Sequence, residues 1–181
     1  SLDVIGSTLT ITPDLNYNGD IEVDVTVSDG ELTDSDSFIL TVNPVNDAPV
    51  LTNILNDNID EDGVFPYELV AADVDDTDLS YSATVDGHAS VDVTGSTLTI
   101  TPDLNYNGDI EVDVTVSDGE LTDTGSFTVT VTPINDAPVL STLDDTSVDE
   151  DNTLAYNLSA SDVDEDNLTY VAESDYGSTT I

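Results

Sequence analysis

Gly95 to Asp123 reads GSTLTITPDLNYNGDIEVDVTVSDGELTD, and the same 29 letters stand at Gly6 to Asp34. Inside this stretch Ile110, Val112, Val114 and Val116 alternate with Glu111, Asp113, Thr115 and Ser117. Successive side chains of an extended strand point to opposite faces, so the alternation predicts a strand with one buried and one solvated face. Leu98 and Ile100 predict a strand before it. The runs Pro102-Asp103-Leu104-Asn105-Tyr106-Asn107-Gly108 and Ser117-Asp118-Gly119 are rich in the residues that close turns.

Outward from this stretch the same period continues. Phe127, Val129 and Val131 predict one strand, Tyr67, Leu69 and Ala71 another, Leu79, Tyr81 and Ala83 a third, and Val91 and Val93 a fourth, with one more in the segment before Glu61. No segment carries a helical period with caps. About seven short strands in roughly 90 residues is the profile of an all-β, immunoglobulin-like Greek-key sandwich.

The identity of the two stretches is part of a larger periodicity. From Gly6 to Gly95 is an offset of 89 residues, and at that offset Asn46-Asp47-Ala48-Pro49-Val50-Leu51 recurs at Asn135 to Leu140, Asp60-Glu61-Asp62 at Asp149 to Asp151, and Asp73-Val74-Asp75 at Asp162 to Asp164. A constant spacing without insertions means one structural unit copied end to end. The boundaries expected are 1–45 for the last four strands of one unit, 46–134 for a complete unit, and 135–181 for the first three strands of the next. Residue 1 reads as an internal cut in a longer protein.

Composition narrows the chemistry. The 181 residues include 40 Asp plus Glu and no Lys or Arg, for a formal net charge of -40. Nucleic acid and anionic membrane surfaces are both bound through cationic side chains, so neither is an expected partner. So much like charge opposes a compact state unless cations offset it. Without cysteine neither disulfides nor thiolate-bound zinc are available. There is no apolar run of bilayer length and no positively charged leader.

The acidic residues gather where strands turn. At the joint between successive units the turns would bring together Glu61, Asp103, Asn105, Asn135, Asp136, Asp162 and Asp164. Calcium takes six to eight oxygen ligands from several chain segments, which this collection supplies. The stretch VTVSDGELTDTGSFTVTVTPINDAPVL, residues 114–140, resembles the last two strands and linker of a cadherin repeat, and ADVDDTDLSYSA, residues 72–83, resembles its paired-aspartate motif. More closely still, the chain is similar to the cadherin-like repeats, of tandem-95 or VCBS-like type, carried in tandem by very large bacterial surface proteins that include biofilm adhesins.

That resemblance implies calcium (Ca2+) held between units. Carried over by motif, one joint uses Asp14, Asn16, Asn46, Asp47, Asp73, Asp75 and Asp118. The other uses the seven residues named above. Asp103-Leu104-Asn105 stands where the family has Asp-Arg-Glu, and the linker is shorter by one acidic residue, which leaves the number of ions per joint open.

Other readings of these residues are weaker. Asp162, Asp164, Asp166 and Glu173 have the spacing of an EF-hand loop, but Asn167 occupies the position that needs glycine, and Leu168, Tyr170 and Ala172 alternate as in a strand. Glu111 and Asp113 read as a solvated strand face. Paired carboxylates can hydrolyse glycosides, yet acids copied in every unit favour a structural role, and no enzyme activity is expected. His88, whose counterpart is Gly177, reads as a turn residue, and Tyr17 and Tyr106 as packing for the end of the sandwich.

Three functions follow as expectations. The first is an extracellular or cell-surface stalk of a repetitive adhesin, stiffened by calcium and projecting an adhesive tip. The second is a filament subunit in which residues 139–181 of one copy complete residues 1–45 of another, head to tail. The third is a repeat that itself binds glycans or like repeats.

Overall fold

The computed structural model describes residues 1–174. Its middle portion is a sandwich of two sheets. One sheet has the order β10 (Ala89–Thr94), β11 (Thr97–Pro102), β7 (Phe65–Glu68), all antiparallel. The other has the order β6 (Asp57–Asp60), β13 (Thr122–Thr132), β12 (Gly108–Ser117), β9 (Ser80–Val85), with β6 parallel to β13. Two short strands, β5 (Val50–Leu51) and β8 (Ala71–Ala72), pair beside them. Among the described residues there is no helix long and apolar enough to cross a membrane.

The period-2 reading places the core. Ile110, Val112, Val114 and Val116 of β12 and Phe127, Val129 and Val131 of β13 are all buried, and Phe65, Leu98 and Ile100 meet them from the other sheet. Phe65 and Phe127 lie 6.4 Å apart across the interface, with Tyr67 5.8 Å from Phe127. Each such side chain contributes about 1.5–3 kcal/mol by leaving water.

The wet face shows how a chain without cations builds a strand pair from acidic residues. Carboxylates directly opposite one another would repel. Here Glu111 stands opposite Thr128 and Asp109 opposite Thr130. The hydroxyls donate to those carboxylates at 2.8 Å and 2.7 Å.

Within the middle unit one expected strand is divided in two. Tyr67, Leu69 and Ala71 do not form a single strand, because the chain changes sheets there. β7 pairs with β11, the Leu69 N–H donates to the Ser96 carbonyl, and β8 then pairs with β5. The buried Leu69 side chain is the pivot of that crossing.

The flanking portions repeat parts of this plan in the same register. β1 (Leu2–Ile5) pairs with β2 (Thr8–Ile11), and β3 (Gly19–Ser28) pairs with β4 (Thr33–Val42). Val23 opposes Phe38 as Val112 opposes Phe127. After the middle sandwich, β14 (Val139–Leu140) pairs with β15 (Ala160–Ser161) as β5 pairs with β8. Of the three strands expected in 135–181, none forms over Leu168, Tyr170 and Ala172. Their counterparts in the middle sandwich lie in and just before β9, which is held by β12; the end of that range, including Gly177, lies outside the described residues.

Gly108 has a requirement of its own. Its φ is +138°, and a Cβ there would lie 2.8 Å from the Tyr106 hydroxyl, which donates to the Asp109 carbonyl at 3.0 Å. Gly108→Ala is therefore expected to destabilise the middle sandwich by more than about 1 kcal/mol. Thermal unfolding checks this, and an unchanged midpoint would refute it.

Candidate metal centre

The turn after β6 supplies the first acidic side chain. Glu61 extends the ladder by donating its N–H to the Thr132 carbonyl at 2.9 Å, and its side chain is buried. Its Oε1 accepts the Ile134 N–H at 2.5 Å. A side chain of one turn thus holds the start of the linker. Asp62 follows with φ 60°, and its Oδ1 accepts the Asn105 N–H at 3.0 Å, tying in the turn that carries Asp103 and Asn105.

The linker and the following portion complete the cluster. Asn135 donates through Nδ2 to the Asp136 carbonyl at 2.9 Å, and the Asp136 N–H donates to Asp164 Oδ2 at 2.6 Å. Asp162 orients that carboxylate from behind, its Oδ1 accepting the Asp164 N–H at 3.0 Å. One oxygen from each of Glu61, Asp136 and Asp164 lies within 4.8 Å of the others. Asp136 Oδ2 is buried and has no hydrogen-bond partner. Burial raises the Asp136 pKa, and the charges of Asp164, Asp62, Glu61 and Asp162 raise it further.

The earlier joint has related wiring. The Asp47 N–H donates to Asp75 Oδ2 at 2.8 Å, matching Asp136 and Asp164. Asp73 Oδ1 accepts the Asp75 and Asp76 N–H groups at 2.8 Å and 3.0 Å, while its Oδ2 is buried without a partner. Asp14, Asn16, Asp47 and Asp75 line one cleft of about 360 Å³. No carboxylate triple forms there among the described residues. The position 89 residues before Glu61 would precede Ser1.

Asp118 is drawn mainly into its own turn. Its Oδ1 accepts the Glu120 and Leu121 N–H groups, both at 2.7 Å, and its Oδ2 accepts Asn46 Nδ2 at 2.8 Å. The Leu121 N–H chiefly, then those of Glu120 and the Asn46 amide, hold its pKa below the ordinary carboxylate value. The triple likewise leaves out Asp103 and Asp162. Asp62 is the residue that the motif reading passed over; its repetition at Asp151 within Asp-Glu-Asp was the available signal.

The donor set suits a hard divalent cation. Three carboxylates from three segments converge, one oxygen is buried without a donor, and the chain has no Lys or Arg to neutralise them. A buried carboxylate left so is costly unless a cation or a proton meets it.

Residues 46–132 match the family model of the bacterial Ig domain. No curated protein matches the chain. Among solved structures, human protocadherin-24 EC1-2 is 16% identical over 72% of this chain and 75% of that one, with a TM-score of 0.49. Mouse protocadherin-24 EC1-3 is 17% identical over 91% of this chain and 63% of that one, also at 0.49. An endo-fucoidan hydrolase of glycoside hydrolase family 107 is 18% identical at a TM-score of 0.38; this chain covers 74% of its own length there but only 22% of the hydrolase. The all-β, Ig-like fold rests on the family match and on the sheet order above.

Proposed function

We propose that this Ig-like chain is a stretch of an extracellular stalk whose consecutive cadherin-like units, here 1–45, 46–134 and 135–181, are clamped by calcium at their joints. The observation that carries this is the meeting of Glu61, Asp136 and Asp164, with Asp136 Oδ2 buried and unpartnered. Glu61 belongs to the unit before the linker, Asp136 to the linker, and Asp164 to the portion after it. A cation bound by all three therefore joins what the linker alone would leave free to swivel. In this reading Asp103, Asn105, Asn135 and Asp162 would supply further oxygens to the ion, and Asp14, Asn16, Asn46, Asp47, Asp73, Asp75 and Asp118 would serve the earlier joint.

Extracellular modules of this class bind calcium at roughly 10⁻⁴ to 10⁻³ M. Such sites fill outside a cell and empty inside it. The role is mechanical and non-catalytic, that of a tandem-95 or VCBS-like repeat carrying an adhesive tip. Small-angle scattering of the dilute chain tests it. About 1 mM calcium should narrow the distribution of dimensions and EDTA should broaden it; identical profiles would overturn the reading.

A further inference from the structure

We infer that the open edge of β9 takes up an extended basic segment of another protein, in which Lys or Arg alternates with apolar residues, as a further strand of the β6-β13-β12-β9 sheet. β9 is the last strand of that sheet and pairs only with β12 among the described residues. It lies in the middle of the complete unit, so its open side is a property of that unit and involves no residue outside 46–134.

The ladder fixes which backbone groups are open. Asp86 donates its N–H to the Glu111 carbonyl at 3.2 Å, and the bonding side alternates along an antiparallel strand. Thr84, Ser82 and Ser80 therefore turn their N–H and C=O groups toward β12, while those of Tyr81, Ala83 and Val85 point away from it. The outward groups have no partner among the described residues. Such a row is a template for another strand, and proteins blunt it with charge, proline or a bulge. The other edges of this unit are blunted: β6 carries Asp57 and Asp60, β10 carries Asp92, and β7 carries Pro66 and Glu68. β9 reads Ser-Tyr-Ser-Ala-Thr-Val, without charge or proline, and its register with β12 runs unbroken from Ser80 to Val85.

Side chains define the occupant. Tyr81, Ala83 and Val85 are half-buried against the core, and so are Val91 and Val93 on β10, the neighbouring edge of the other sheet. Apolar residues at every second position of an added strand would extend this face. The positions between them would fall beside the exposed Ser80, Ser82 and Thr84, with Asp113 one strand further in and Asp78 and Asp86 flanking the ends of β9. No Lys or Arg in the chain competes for these carboxylates, and the net charge of -40 draws in a cationic segment and disfavours a second copy. Backbone pairing then supplies the affinity and the alternating side chains the choice of partner. None of this depends on calcium at the joints.

The test is amide hydrogen exchange of the full chain with an end-capped synthetic peptide of about eight residues alternating Lys and Val. The solution holds about 1 mM calcium and about 0.15 M NaCl, where the Debye length is about 8 Å. With peptide bound, the Tyr81, Ala83 and Val85 amides should exchange about tenfold more slowly or better. Ala83→Pro removes one outward N–H and leaves the β12 ladder intact, a place where proline is tolerated, and should weaken binding about tenfold or more. The same peptide N-methylated at its valines, whose N–H groups would face β9, repeats that test on the unaltered chain and should not bind there. Absence of binding, slowing spread over the acidic surface instead of β9, or equal binding of the methylated peptide would overturn the inference. Slowing of the same three amides with rising protein concentration and no peptide would also overturn it, and would identify a second copy as the occupant.

Discussion

Val114→Asp abolishes cooperative unfolding of the middle sandwich, while Val25→Asp, made within the same 29 identical letters, leaves that transition where it was. Val114 is fully buried in the core, paired in register with Gly125 of β13 and Ala83 of β9. A carboxylate there has no Lys or Arg in the chain to pair with. The effective penalty for an unpaired buried charge is several kcal/mol, comparable with the whole 5–15 kcal/mol stability of a small domain. Val25 faces solvent and loses little. Circular dichroism melts of the two variants check the contrast, and equal midpoints would refute it.

The second large effect concerns the metal. Glu61→Gln keeps an oxygen to accept the Ile134 N–H but removes a charge from the carboxylate triple. Calcium affinity at the joint should fall about tenfold or more, since even residues behind the ligands alter affinity by about 10–100-fold, with the melting of the metal-free chain little changed. Calorimetric titration reads this, and undiminished affinity would exclude Glu61 from the site.

Acidity acts on the same joint with a definite sign. Asp136, its pKa raised by burial and then by neighbouring carboxylates, stabilises the metal-free fold when protonated. That contribution is complete below the ordinary value of 3.8 and disappears as pH rises through the raised one. Calcium needs the deprotonated group, so its affinity should decline on acidification before ordinary carboxylates titrate. Asp118, with its pKa lowered chiefly by the Leu121 N–H, behaves oppositely: its contribution is present above 3.8 and is lost as pH falls through the lowered value.

Much of this was legible from residue order because burial in a sandwich follows a period of two. The inward set Ile110, Val112, Val114, Val116, Phe127, Val129 and Val131 is read directly from alternation. Alternation cannot say whether a partner sheet is present, and so Val25 and Val114 look alike until the fold separates them. It also missed the change of sheets at Leu69, where backbone hydrogen bonds to Ser96 decide the path. Among the joint residues the acidic type was visible, but not the division of labour. Asp118 spends one oxygen on its own turn, Asp162 orients Asp164, and Asp62 fastens the neighbouring turn; these roles depend on backbone N–H directions that letters do not carry.

The parallel pairing of β6 with β13 bears on how the molecule meets a pull. These strands lie near the two exits of the middle sandwich, in register from Asp57 opposite Val129 to Asp60 opposite Thr132. Tension applied through the flanking linkers drags them in opposite directions along their length, so the rungs are loaded together in shear instead of parting one by one. The Thr132 hydroxyl on Asp60 and the Thr128 N–H on Asn56 add two side-chain rungs to that seam. Rupture under load is set by the rate of unfolding, and this seam is where the middle sandwich, pulled from its two ends, would first resist and finally give way.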